Sequence, residues 1–175
     1  MNAVAEGTAN ETMHVTADGY ERLRSELERL RGDGRRRVSE RLREAREDGH
    51  LADNPALYDL LVEQARLERR IATLEAQVAA AQVVAPPDNG IAGIGASVRV
   101  RDVAADEVAE YELVGEIEPG VANGRVSVGA PVGSALLGRR AGERVEVETP
   151  RGRLSLQVLG VRPLVRAQPA PRKAA

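Results

Sequence analysis

The sequence predicts an α+β chain in which an antiparallel two-helix hairpin is followed by a small antiparallel sheet domain. Three observations lead there. Apolar residues recur at spacings of three and four between Tyr20 and Val78, with one polar interruption. The stretch "APPDNG" at 85–90 ends that regime with two prolines and an Asn-Gly pair. Beyond it, apolar and polar residues alternate in short runs, as in half-buried strands.

In the first helix Thr16 suits an N-cap, and Val15 before it is placed to staple against Tyr20. Tyr20, Leu23, Leu27 and Leu30 form the apolar stripe. The "GDG" at 32–34 is expected to loosen or kink the helix, after which Val38, Leu42 and Ala45 continue the pattern. Gly49 suits the end of this helix, while Asn54 and Pro55 open the second as N-cap and first helical residue. Leu60, Leu61, Leu67, Ile71, Leu74 and Val78 carry the second stripe. Two helices of similar length joined by a short capped turn fold back so that each buries its stripe on the other. At 1.5 Å rise per residue each arm is roughly 45 Å long.

The expected organisation is a disordered leader at 1–14, the hairpin at 15–84 with its tip at 47–56, and a linker at 85–93. The sheet domain follows at 94–164, and a disordered basic Pro/Ala tail at 165–175. Within the sheet domain "ASVRVRDV", "AEYELVGEI", "RVSVG", "ERVEVET" and "RLSLQVLGV" read as strands, with "GSALLG" as a short helix between them and one face of the sheet covered.

Composition excludes several classes. Charged residues make up 30% of the chain, yet the formal net charge is only -2, which does not suit a general polyanion binder. Cysteine is absent, removing disulfides, thiol catalysis and thiolate metal sites. No apolar run approaches the roughly 20 residues of a membrane span, and "MNAVAEGTANETM" lacks the plan of a signal peptide. A soluble, cytoplasmic, monomeric protein without a membrane partner is expected. With no Phe, no Trp and three Tyr, a base-stacking platform is not expected, and the core must be aliphatic.

The turn itself, in "AREDGHLADNPALYDLL" at 45–61, places a His, two Asp, an Asn and a Pro within eight residues. Any hairpin needs a polar turn. A long two-helix arm with little core is nonetheless easier to understand if the arm must reach something. The residues that bear on this are "TADGYERLRSEL" at 16–27, "AREDGHL" at 45–51, Asn54, "RRIATLEAQV" at 69–78 and "APVGSALLGRRAGERVEVETPRG" at 130–152. In that order and spacing, over roughly 15–164, the chain resembles the Gre family of bacterial transcription elongation factors.

The resemblance implies an N-terminal coiled coil and a C-terminal domain of FKBP-like fold. It implies a partner, RNA polymerase, whose secondary channel the coiled coil enters, and nascent RNA as an indirect one. It further implies that the chain has no catalytic site and binds no cofactor alone. Acidic residues at the tip would help hold a second Mg²⁺ in the polymerase active site, where backtracked RNA is cleaved. Mg²⁺ prefers oxygen ligands, which is why such a tip needs carboxylates and why neutral imidazole is a poor replacement.

The tip departs from the family pattern Gly-Asp-Leu-x-Glu-Asn-Ala-Glu-Tyr, reading "GHLADNPALY" at 49–58. His50 stands at the first acid, Asp53 at the second, Ala56 at the third, and Leu57 at the tyrosine, with Tyr58 one place later. Asp53 is therefore the candidate Mg²⁺ ligand, with Asp48, His50 and Asn54 as the other tip candidates. Asp48 lies across Gly49, and Asp59 is expected to face outward. Two readings stay open: a cleavage factor with an unusual tip, or a channel occupant that inhibits, since His50 binds Mg²⁺ poorly and repels it when protonated. A coiled-coil adaptor that has lost polymerase is a third.

Arg35, Arg36, Arg37 and Arg41, with Arg43 and Arg46, make a locally basic first arm, either a solvated face of Glu-Arg pairs or a face toward RNA phosphates. In the sheet domain the resemblance implies polymerase docking through Pro131, Gly133, Leu136 and Leu137, although the two leucines equally suit a core. Prolyl isomerase activity is not expected, because the domain offers only Tyr111 where an aromatic-walled pocket is needed.

Overall fold

The computed structural model describes residues 12–47, 55–118, 124–149 and 152–164. Its elements in chain order are β1 (Met13–Val15), α1 (Ala17–Arg29), a π-turn (Leu30–Gly34), α2 (Arg35–Glu47), α3 (Pro55–Ala80), β2 (Ala81–Val83), β3 (Ala96–Asp102), β4 (Glu107–Val114), β5 (Arg125–Ser127), α4 (Pro131–Leu136), β6 (Arg144–Thr149) and β7 (Gly152–Pro163). The fold is α+β, and the chain divides into two units. One contains Asp18–Gln82, and the other His14–Ala17 together with the chain from Val83 onward. Both ends of the hairpin differ from expectation: Met13 already opens a strand, and α3 stops at Ala80 where β2 begins. β1 and β2 pair with one another, so extended backbone stands at 81–83 where helix was expected, and at 13–15 in place of the end of the leader and the residue before the Thr16 cap.

In the helical unit, Leu23 and Leu27 on α1 and Ile71 and Leu74 on α3 are buried. Farther along, Val38, Leu42, Leu57 and Leu60 form an apolar cluster against which Ala45, Leu61 and Leu67 pack. Arg31, Arg35 and Arg41 pair with Glu75, Glu68 and Glu63 at 2.7, 2.6 and 2.7 Å. Partner numbers fall as the arginine numbers rise, so the helices run antiparallel. These pairs are about half exposed and worth at most about 1 kcal/mol each, so the apolar seam supplies most of the stability.

The π-turn explains the polar interruption. The spacing of Leu23, Leu27 and Leu30 continues regularly to Gly34, and would next bring Arg37 and Arg41 to the seam. Val38 and Leu42 are the buried residues instead, one position later. The N–H of Arg35 donates to the carbonyl of Leu30, five residues back. A π-turn holds one residue more than an α-turn, so it absorbs the single-residue skip and returns the apolar stripe to α3. Gly34 fits because a Cβ there would come within 3.3 Å of Leu67 Cδ1, while a Cβ at Gly32 would meet open space.

The second unit is a five-stranded sheet in the order β5-β4-β3-β7-β6. The β3–β4, β3–β7 and β6–β7 pairs are antiparallel, as expected, whereas β5 runs parallel to β4. A parallel neighbour requires the chain to cross back between Val114 and Arg125. One face is covered, with Val98, Val100, Leu113, Val145, Val147, Leu156 and Val158 packing with Leu136 of α4. Arg99, Arg101 and Glu110 lie exposed on the other face. A bulge in the β3–β7 ladder passes from Arg99 opposite Gly160 to Val100 opposite Val158, leaving Leu159 partly exposed.

Deleting Gly32 should therefore leave the hairpin folded and raise its melting temperature, because the skipped residue is gone and the stripe becomes regular. Deleting Ser39 should lower it, since Leu42 and Ala45 would then leave the seam. Thermal melts followed by far-ultraviolet circular dichroism distinguish the two, and a lower melting temperature for the Gly32 deletion would rule out the skip as the origin of the π-turn.

Candidate functional site

The free end of the hairpin is framed by the last turn of α2, ending at Glu47, and the first turn of α3, starting at Pro55. Proline suits that position because its fixed φ fits a helix start and its missing N–H leaves no donor unpaired. Leu57 is only 1% exposed and belongs to the apolar cluster of the seam, so packing reaches the first turn beside the tip. Tyr58 beside it is 69% exposed. The position where the Gre pattern has tyrosine is thus filled by a packing residue, and the ring one place later faces solvent. Asp59 is also exposed. The tip candidates Asp48, His50, Asp53 and Asn54 lie outside the described residues. Among the described residues no three His, Cys, Asp or Glu side chains are grouped so as to hold a metal ion.

The basic stretch separates into bound and available arginines. Arg35 grips Glu68 with two hydrogen bonds, Nε to Oε1 at 2.9 Å and Nη2 to Oε2 at 2.6 Å. Those bonds hold the Glu68 carboxyl below its ordinary pKa of 4.5. Arg41 donates to both oxygens of Glu63, at 3.0 and 2.7 Å, and Arg36 pairs with Asp33 at 2.8 Å. Arg37 is exposed without an ion pair among the described residues, as are Arg43 and Arg46 nearer the tip. Arg35 and Arg41 therefore tie the helices together, and among the described residues the exposed charge free to meet a phosphate is carried by Arg37, Arg43 and Arg46.

The sheet-domain candidates separate similarly. Leu136 is fully buried in the core, and Leu137 is 45% exposed. Pro131 opens α4 on the surface. Gly133 is buried where a Cβ would stand 2.0 Å from the carbonyl oxygen of Ser127, so α4 can lie against β5 only with glycine there. Pro131 and Leu137 are available to a partner, while Gly133 and Leu136 hold the helix that presents them.

Two polar clusters went unread in the sequence. Glu118, with a side chain 0% exposed, accepts hydrogen bonds from Thr16, Gly115 and Arg125. In sequence Thr16 reads only as a helix cap, and nothing in the local pattern links residues 102 positions apart. On the open face, Glu110 bonds Ser97 Oγ and Arg162 Nη2, one on β3 and one on β7. These residues, with Glu112, Gly124, Pro163 and Leu164, line an open cavity of about 540 Å³. The Ser97 hydroxyl, then Arg162, hold the Glu110 carboxyl below its ordinary pKa.

Residues 13–83 match the family described as "Transcription elongation factor, N-terminal", and residues 87–163 that described as "Transcription elongation factor, GreA/GreB, C-term". Transcription elongation factor GreA of Syntrophobacter fumaroxidans is 39% identical over 150 residues, which is 85% of this chain and 96% of that protein. GreA of Clostridioides difficile is 38% identical over 155 residues, 87% and 98% of the two chains. A crystal structure of GreA factor homolog 1 (Gfh1) from Thermus thermophilus is 30% identical, covers 85% of this chain and 97% of its own, and superposes with a TM-score of 0.40. The chain belongs to the GreA/GreB family of transcription elongation factors.

Because the folded pKa of Glu110 is depressed, its contribution to stability is present above the ordinary carboxylate value of 4.5 and is lost as pH falls through the lower folded value. Glu110→Gln should thus be less stable than the parent at neutral pH, with the difference shrinking below about pH 4.5. Urea denaturation at several pH values reads this directly, and a difference that grew on acidification would contradict it. Gly133→Ala should lower stability by about 2 kcal/mol or more, as expected of overpacking against backbone.

Proposed function

We propose that this chain binds RNA polymerase through its secondary channel and stimulates cleavage of backtracked transcripts, so that arrested complexes resume elongation. The observation that carries the reading is the framed tip. Leu57 packs into the seam in the first turn of α3, so the helix ends that flank residues 48–54 are held by the hairpin's own core, in a chain that matches both halves of the family in order. The chemistry belongs to the polymerase. A second Mg²⁺ there activates a water for in-line displacement. The tip's part is to offer carboxylate oxygens, from Asp53 first and from Asp48 across Gly49. Exposed Arg37, Arg43 and Arg46 attract the phosphates of extruded RNA. Pro131 and Leu137 supply apolar contact for docking.

His50 favours a second reading, in which the chain occupies the channel and slows nucleotide addition without cleavage. The imidazole replaces an oxygen ligand at the first acid position, and its protonated form repels the metal.

A stalled, backtracked elongation complex of the cognate polymerase, with 3′-labelled RNA, Mg²⁺ and saturating protein, tests both. The first reading expects release of a short 3′ fragment that falls at least about tenfold in Asp53→Ala, equivalent to about 1.4 kcal/mol of transition-state stabilisation. Absence of the fragment, with slower nucleotide addition, would establish the second. No effect of any kind, and no capture of polymerase, would leave the coiled-coil adaptor.

A further inference from the structure

The loop that leads into β3 carries an Asn-Gly pair at its crest, where Asp88, Asn89 and Gly90 are exposed. Both feet of this loop are held within the sheet unit. Pro87 lies over Gly93 and Pro86 over Gly95, so closely that an added Cβ at either glycine would stand 3.1 Å from the proline ring. Beyond the crest, Ala92 is 2% exposed. Its N–H donates to the Arg139 carbonyl at 2.8 Å, and its carbonyl accepts the Gly138 N–H at 2.7 Å. Ile91 bridges to Arg140. Ile91 and Ala92 thus form a strap laid on the segment that follows α4.

At the crest, two neighbouring residues are arranged for an intramolecular reaction. The Ile91 N–H donates to Asn89 Oδ1 at 3.1 Å. That bond folds the carboxamide forward along the chain toward Gly90 and polarises its carbonyl. Gly90 has φ +69°, a left-handed conformation that only glycine adopts without strain. Glycine also leaves its own nitrogen unshielded, and among the described residues that N–H has no acceptor. A Cβ at this position would meet nothing within 4 Å, so the surroundings are open to solvent. The turn therefore selects the same dipeptide in which a backbone nitrogen most readily attacks a side-chain amide.

We propose that Asn89 is a site of spontaneous isoaspartate formation, and that the conversion loosens the strap. The Gly90 nitrogen gives its proton to solvent base and bonds to Asn89 Cγ, and the Cγ–Nδ2 bond breaks to release ammonia. The succinimide so formed takes up one water. Opening at the side-chain carbonyl gives aspartate. Opening at the main-chain carbonyl gives isoaspartate, in which the chain runs through Cβ and Cγ and is longer by one methylene. Aspartate keeps an oxygen for the Ile91 N–H and alters only the charge. Isoaspartate adds an atom between two feet that are already seated, so Ile91 and Ala92 lose their register with Arg140 and Arg139.

The test ages the full chain at mildly acidic, neutral and mildly alkaline pH beside a synthetic peptide spanning residues 85–95. Each is mapped by mass spectrometry with electron-transfer fragmentation, which separates isoaspartate from aspartate. The proposal expects isoaspartate to accumulate at residue 89, faster at higher pH because the attacking nitrogen must shed its proton. It expects none at that position in Asn89→Gln, whose longer side chain closes the ring poorly. Hydrogen exchange at the Ala92 and Gly138 amides is then compared between the purified isoaspartate form and Asn89→Asp, which carries the charge without the added atom. Several-fold faster exchange in the isoaspartate form is expected. An Asn89 that stays intact in the folded chain while the peptide converts would overturn the proposal, as would equal exchange in the two forms.

Discussion

An aliphatic interior is the constraint on which the rest of this structure depends. With no Phe and no Trp in 175 residues, the buried layers are built from Leu, Val, Ile and Ala. Short side chains fill an interior to normal density only if the backbones behind them approach closely. Glycine sits at the two tightest of those approaches among the described residues, Gly133 where α4 meets β5 and Gly115 beside His14. At these positions the hydrogen in place of a side chain is what lets two elements touch, quite apart from any turn conformation.

Within such an interior, polar groups divide sharply by burial. The cross-helix pairs of the hairpin are half exposed and fine-tune a register that the apolar seam sets. The Glu118–Arg125 pair is buried, and removing one partner from a pair of this kind costs about 3–5 kcal/mol because the other is left charged without compensation. The same residue types thus act as optional surface ties in one unit and as an obligatory junction in the other.

The spacing of Leu23, Leu27, Val38 and Leu42 was enough to read the hairpin from sequence, and strict alternation in "ERVEVET" was enough to read β6. Local periodicity carries that information because it depends on neighbours a few residues apart. The parallel placement of β5 and the strands β1 and β2 were not legible, since three-residue segments carry too little pattern and their partners lie far along the chain. The "GDG" was read as a place of loosening. Its role as a one-residue correction becomes visible in the π-turn, where the Arg35 N–H reaches back to the Leu30 carbonyl. In the candidate site, Leu136 and Leu137 are indistinguishable in sequence, and only the packing of α4 separates the core residue from the surface one. The pairing of Arg35 and Arg41 with Glu68 and Glu63 was likewise available only as a general expectation, because sequence fixes neither the facing helix nor its register.

The burial of Leu57 has an evolutionary consequence. Since the seam is complete at that residue, the stretch between Glu47 and Pro55 carries little responsibility for keeping the arm folded. Its sequence can drift, gaining or losing an acid, while the scaffold that carries it stays intact. A scaffold packed in this way leaves the residues that join its helices free to differ from one lineage to the next.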